Sequence, residues 1–358
     1  MSIRSLAAIT GAALLLATPV LASGAQQIST GSWMATASMD AARYTATATR
    51  LANGRVLVIG GAEVSTAELY DPPTGTWLPA GALSEPAGLI AAVRLADGRV
   101  LVAGGGWYST RAELYDPATN SWTRTGDMNI GRIAFTTTLL RDGRVLAVGG
   151  NSLGGMQASA ELYNPATGRW TLTGSLRIPR RDHTGTLLPD GGVLVAGGAN
   201  PSGWPRNAEL YDPGRGRWLR AGMMTTGREG AGAALLGNGR VLLAGGGNPN
   251  GLAGDSTELF DPASRSWSAT GIMNAPHGGP AVLLQDGRVL VAGAGTGDVY
   301  SPATGTWAAT GPMVYPYASA SAALLPNGQV LYAGGRQVRY CGQYVCDDPL
   351  ADAELYTP

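Results

Sequence analysis

The sequence predicts an all-β protein: a seven-bladed β-propeller of four-stranded antiparallel blades, closed by the N-terminal strand completing the last blade. Three observations carry this expectation: a glycine-rich composition poor in charge, a unit written seven times, and an aromatic ladder that falls out of step by one at the termini. Of 358 residues, 54 are Gly and only 14% are charged. Glycine usage is thus about twice the ordinary level and charge well below the ordinary quarter, which argues against a helical or doubly wound domain.

Self-similarity sets the period. An Asn-Gly or Asp-Gly pair or its equivalent begins at Asn53, Asp97, Asp142, Asp190, Asn238, Asp286 and Asn327, at intervals of 44, 45, 48, 48, 48 and 41 residues. Each is followed by an apolar run such as Val56–Ile59 and then by two small residues, Gly60-Gly61 in the first unit and Gly293-Ala294 in the sixth, the one departure from Gly-Gly. Next come an acid, an apolar residue and an aromatic, ending at Tyr70, Tyr115, Tyr163, Tyr211, Phe260, Tyr300 and Tyr356. Seven positions after each of the first six aromatics stands Trp77, Trp122, Trp170, Trp218, Trp267 or Trp307, and six beyond each Trp a Met or Leu.

These intervals translate into four strands per unit, here a to d. An Asn-Gly or Asp-Gly pair between apolar runs predicts a tight a–b hairpin whose two central residues both take positive φ. Segments such as Asp116-Pro117-Ala118-Thr119 place Pro in a turn joining c to d. Four short strands at a period near 46 residues mean propeller blades, since helical solenoids would show a 3.6-residue pattern.

The Gly-Gly, Tyr and Trp order, with its Ala-Glu-Leu-Tyr-Asp-Pro variant at 67–72, resembles the kelch repeat over essentially the whole chain after residue 25. The resemblance implies a place in the galactose-oxidase-like central-domain superfamily. It also implies that the glycines allow close backbone approach while Tyr and Trp pack between neighbouring strands. The count has one mismatch. Tyr356 lies two residues from the end, so its unit lacks a Trp strand, whereas Gly31-Ser32-Trp33, with Met39 six beyond the Trp, precedes the first a strand. Trp33 and its strand therefore complete the last blade and remove an open sheet edge.

Residues 1–25 read as a signal peptide, with Arg4, an apolar stretch Leu6–Val20 and cleavage after Ala22 or Ala25. The mature chain, 26–358, is then a single secreted or periplasmic domain, and no later stretch nears the roughly 18 apolar residues of a bilayer helix. Cys341 and Cys346 suggest a local disulfide in an oxidising compartment, with two free thiols as the alternative. All 25 basic residues are Arg and balance 25 acidic ones, so neither nucleic acid nor an anionic membrane surface is expected as partner, and lysine Schiff-base chemistry is excluded. A monomer without cofactor is expected.

Binding residues are sought on the face carrying the b–c loops and d–a connections, where loop length varies most. Trp107, Tyr108, Arg111, Trp204, Arg206, Tyr340 and Tyr344 fall in b–c loops. Four positions after each Met or Leu landmark stand Arg43, Ala87, Arg132, Arg180, Arg228, His277 and Tyr317, expected to ring the channel mouth. An arginine ring would suit carboxylate or phosphate groups, unless the strand-c acids on the same face neutralise it. Loop aromatics suit stacking on sugars or anchoring a protein. The expected function is a non-catalytic binding module for carbohydrate or protein partners.

The rival reading is a carbohydrate-active enzyme. Periplasmic sialic-acid mutarotases of kelch type are similar in fold and export, and Glu229 or Asp182 would supply the acid or base. The galactose-oxidase-like copper enzymes use two His, two Tyr and a Cys joined to a Tyr, whereas this chain has only His183 and His277. Hydrolase triads, phosphate loops and His-Glu-x-x-His sites have no candidates. Asp347, Asp348 and Asp352 form an acidic loop cluster, read either as a calcium site or as solvated carboxylates.

Overall fold

The computed structural model describes residues 30–61, 64–248, 254–341 and 344–358, the side chains of 338–347 excepted. Apolar four-residue runs become the wholly buried b strands Val56–Ile59, Val100–Ala103, Val145–Val148, Val241–Ala244 and Val330–Ala333. Each lies between its a and c strands in a four-stranded antiparallel sheet, with d on the outside, and seven such sheets make the seven blades. The inner a strands are rich in small residues, as in Gly232–Leu235 and Ser321–Leu324. They touch one another all the way round, blade 7 returning to blade 1, so the ring is closed. The small side chains match the taper where seven strands converge. Among the described residues there is no helix long and apolar enough to cross a membrane.

The seventh sheet has the order Ser32–Thr36, Ala353–Thr357, Val330–Ala333, Ser321–Leu324, so its outer strand is supplied from the other end of the chain. Trp33 stands opposite Tyr356, as Trp77 stands opposite Tyr70 in blade 1. The apolar core is divided into seven layers, one at each blade-to-blade contact. Leu57, Ile59 and Leu69 of blade 1 meet Val100, Val102 and Tyr115 of blade 2 in one of them.

The ladder aromatics tie blades together. Tyr70, Tyr163, Tyr211 and Tyr300 hydrogen-bond a Thr hydroxyl of the preceding blade at 2.7–2.8 Å. Trp77, Trp122, Trp218 and Trp267 donate their indole N–H to a carbonyl on the same side at 2.7–2.9 Å. Each Trp also packs tilted on its own Tyr or Phe with ring centroids 5.0–5.2 Å apart.

The a–b turns differ from the expected type. Gly54 takes φ +88°, but Asn53 does not take positive φ. Instead the amide of Gly54 donates to Leu51, that of Leu51 to Arg55, and the Asn53 Oδ1 accepts the amide of Arg55 at 3.1 Å. This is a three-residue hairpin loop whose left-handed position is the glycine. Asp97, Asp142, Asp190, Asn238, Asp286 and Asn327 accept a backbone N–H two residues on in the same way, which is why each turn needs a short carbonyl-bearing side chain before Gly.

Candidate functional site

The arginines after the Met and Leu landmarks do not ring an open mouth. Arg43, Arg132, Arg180 and Arg228 are fully buried, and each turns its guanidinium into its own blade. Arg132 donates to the carbonyls of Gly149 and Ser159 at 2.8 and 2.9 Å and to Glu161 at 3.1 Å. Arg43 meets Gly60, Thr66 and Glu68; Arg180 meets Gly197, Asn207 and Glu209; Arg228 meets Gly245, Ser256 and Glu258. Burial pulls the pKa values of Arg132, Arg180 and Arg228 below the usual guanidinium range, against the neighbouring carboxylate, which raises them. The strand-c acid also caps the incoming connection: Glu161 accepts the amides of Asn129 and Ile130, and Glu209 those of Arg177 and Ile178. A buried, hydrogen-bonded cation enclosed by carbonyls is committed to the fold and is not free for a ligand anion.

The same place is filled otherwise in three blades. In blade 6 buried His277 bonds Asp298 at 3.0 Å. Burial would raise the Asp298 pKa, but hydrogen bonds from His277 and Asn274 hold it below the usual carboxylate range. In blade 7 Tyr317 is buried and its hydroxyl lacks a hydrogen-bond partner among the described residues, as does Glu354 Oε1. Burial pushes the Glu354 carboxyl up to about 7, with backbone N–H groups of Val314 and Tyr315 pulling against it. In blade 2 the residue is Ala87, and its methyl leaves the arginine volume open.

That opening is a cavity of about 630 Å³ between blades 1 and 2. Ala87, Gly104 and Glu113 lie where the other blades hold their guanidinium, and Tyr44, Arg111 and Trp107 complete the wall toward solvent. Trp107 is 87% exposed. Glu113 is nearly buried and accepts from the amide and hydroxyl of Ser84, while Arg111 pairs with Glu85 at 2.6 Å and reaches the Ser84 hydroxyl at 2.6 Å. Trp107 and Arg111 were legible as loop residues. Glu113 and Tyr44 were not: one reads as a repeat acid and the other as a linker residue, and only the missing arginine at position 87 signals the hole beside them.

The remaining expected positions do not converge on this cavity. Tyr108, with φ +58°, and Trp204 are partly buried in their own loops, and Arg206 is exposed. The carbonyl and Cβ of Trp204 cover Gly227, closing the loop over the entry to blade 5. Tyr340, Tyr344, Asp347 and the Cys341–Cys346 pair have side chains outside those described; their backbone forms a hairpin, Arg336–Cys341 with Tyr344–Pro349. Residues 1–25, expected to be a signal peptide, also lie outside the described residues. A second, shallower hollow at the channel holds Asp182 and His183. There Arg181 pairs with both Asp182 and Glu229. Burial raises the Asp182 pKa, opposed by Arg181 and reinforced by Glu229.

No protein-family model and no curated protein matches the chain. Among solved structures it is similar to a protein described as a novel fungal alcohol oxidase with catalytic diversity among the AA5 family, in complex with copper. The identity is 21% and the TM-score 0.75, over 92% of this chain and 76% of that one. The likeness defines a class by fold alone: a seven-bladed β-propeller. The described residues do not fit a copper centre. Nε2 of His277 is engaged by Asp298 and Nε2 of His183 contacts Thr136, and the described residues contain no group of three His, Cys, Asp or Glu able to hold a metal.

Proposed function

We propose that this chain is an exported kelch-type propeller acting as a non-catalytic binding module, with its ligand seated in the cavity between blades 1 and 2. The observation that supports it is a large, almost wholly exposed Trp at the lip of a cavity of about 630 Å³ whose floor carries a buried carboxylate. An exposed aromatic ring beside a concave, partly apolar wall with a few convergent polar groups suits stacking and orientation of a carbohydrate or a protein chain. Glycan and peptide arrays probed with residues 26–358 test the reading. At least one hit is expected that Trp107→Ala weakens about tenfold or more, and arrays without any hit sensitive to Trp107 overturn it.

A second reading, a carbohydrate-active enzyme such as a sialic-acid-type mutarotase, is favoured by the Asp182–Arg181–Glu229 cluster. It places two carboxylates around one guanidinium beside the channel hollow. Burial raises the Asp182 pKa toward the range in which a carboxyl exchanges protons most readily. Sugar-anomer exchange followed by NMR, lost in Glu229→Gln and retained in Trp107→Ala, would replace the module reading with this one.

A further inference from the structure

We propose that the cavity at blade 2 is a vacated arginine site, and that it binds the guanidinium of an arginine side chain presented by a polypeptide partner. The assignment rests on the binding-module reading and names its ligand chemistry.

Four blades hold an arginine whose guanidinium meets the same three acceptors: the carbonyl of the first glycine of the pair, the carbonyl two residues before the strand-c acid, and the acid itself. In blade 1 these are Gly60, Thr66 and Glu68 at 3.0, 2.7 and 2.6 Å, and in blade 5 Gly245, Ser256 and Glu258 at 3.0, 2.6 and 3.0 Å. Blade 2 keeps the corresponding acceptors, Gly104, Arg111 and Glu113, all lining the cavity, and replaces the arginine by Ala87. The backbone around them is the same. The Arg111 carbonyl accepts the Gly104 amide at 3.0 Å, just as Ser159 accepts Gly149 at 3.1 Å, and Gly105 donates to the next landmark carbonyl, that of Arg132. A cradle of two carbonyls and a carboxylate is thus built to the guanidinium pattern with no guanidinium in it.

The chain's own cations leave it open. Arg111 turns outward to Glu85 and the Ser84 hydroxyl, and among the described residues Glu113 has no ion pair. The two acids Glu85 and Glu113 against the single Arg111 give the cavity a net negative lining. The acceptors lie at the floor, where Glu113 is 7% exposed, and Trp107 stands at the rim, so the cation must arrive on a stem of several apolar carbons. Leu83, Leu89 and Val102 line the path of that stem. An arginine side chain has this shape, and its planar fork satisfies a carboxylate and carbonyls together, which an ammonium cannot do as well.

Isothermal titration of residues 26–358 with N-acetylarginine methylamide tests this, beside the isosteric, uncharged citrulline analogue and the lysine analogue. Saturable binding is expected with Kd of about 1 mM for the arginine probe, a size set by its few non-hydrogen atoms. Binding of the citrulline analogue should be weaker by about tenfold or more, with lysine between. Ala87→Arg should fill the cradle from within, abolish probe binding and leave the circular dichroism spectrum unchanged, and Glu113→Gln should weaken the probe about tenfold. Equal binding of arginine and citrulline, or no saturation by the arginine probe, overturns the proposal on the unaltered protein, whatever the variants do. An array ligand that depends on Trp107 but is indifferent to Ala87→Arg and to competing N-acetylarginine methylamide leaves the module standing and removes only the arginine.

Discussion

At the scale of single residues, one position relative to the landmark decides what each blade does with its buried acid. Arg43, Arg132, Arg180 and Arg228 neutralise it, His277 supports it, Ala87 exposes it to a cavity, and Tyr317 leaves it without a cation. The last case has a pH signature. Burial moves the Glu354 carboxyl from 4.5 to about 7, so between these values the folded chain holds a proton that the unfolded chain releases. The Glu354 contribution to stability is therefore full below about pH 4.5 and lost as pH rises through about 7, by on the order of 3 kcal/mol. Glu354→Gln should raise the melting temperature at pH 8 and leave it little changed at pH 4. A variant less stable than the parent at pH 8 would show that the ionised form is accommodated. His183 works in the opposite sense: burial first, then the charge of Arg180, pulls it to about 3. The unfolded chain takes up that proton below about 6.5 and the folded chain does not, so stability falls on acidification. Between pH 4.5 and 6.5 the two effects oppose, and each single variant should show a slope that the parent hides.

At the scale of the element, the glycine pair is a contact rather than a flexible joint. In every blade the second residue of the pair donates its amide to the landmark carbonyl of the next blade, from Gly61 to Ala87 round to Gly335 and Arg43. The first glycine must let that carbonyl in. A Cβ on Gly245 would lie 1.9 Å from the carbonyl oxygen of His277, at φ +63°. Gly230 has φ +65° but open space around it. Gly230→Ala should cost only the left-handed backbone penalty, about 1 kcal/mol, whereas Gly245→Ala adds the clash and should cost about 3 kcal/mol or more. Urea denaturation of the two variants separates these contributions, and equal losses would mean that the blades can part without cost. The exception agrees with this account. In blade 6 Gly293 has no such approach, with Tyr317 O at 3.7 Å, and its follower is Ala294 in the left-handed region at φ +54°.

For the whole molecule, stability rests on closing the ring. Trp33 packs against Tyr356 and Tyr332 with centroids 5.0 and 5.2 Å apart and donates to Thr310 of blade 6, so one side chain from the start of the chain joins the last two blades. Trp33→Ala should cost about 3 kcal/mol. Deleting residues 26–39 should leave Ala353–Thr357 as an unpaired edge and produce aggregation, detectable by light scattering. A monomeric deletion variant with an unchanged melting temperature would overturn the closure model. A pocket is also a whole-molecule property here. The wall of the blade 2 cavity takes Tyr44 and Thr45 from the connection into blade 1, residues some 60 positions away from Trp107 in the chain.

The repeat itself was written in the sequence: the period, the strand order and the strand borrowed across the termini all follow from spacing alone, and the packing of Tyr with Trp from the resemblance to kelch repeats. Period and strand order were legible because in-register neighbours within six blades are separated by short, regular distances along the chain, and the borrowed strand because Trp33 is left over at one end while no Trp follows Tyr356 at the other. The hairpin turn type was less so, because Asn-Gly and Asp-Gly suit both a two-residue loop and a three-residue loop, and the pairing of Leu51 with Arg55 chose between them. The direction of the landmark arginines was legible only as one of two alternatives, a ring at the mouth or neutralisation by the strand-c acids, and the second is what the fold holds. An Arg at the start of a channel-lining strand can face either solvent or its own blade, and the choice belongs to tertiary packing, where two backbone carbonyls and a carboxylate from later strands enclose the guanidinium. The cavity has the same origin: Ala87 is one small residue among many in the chain, and becomes a site only where the fold holds the other three walls in place.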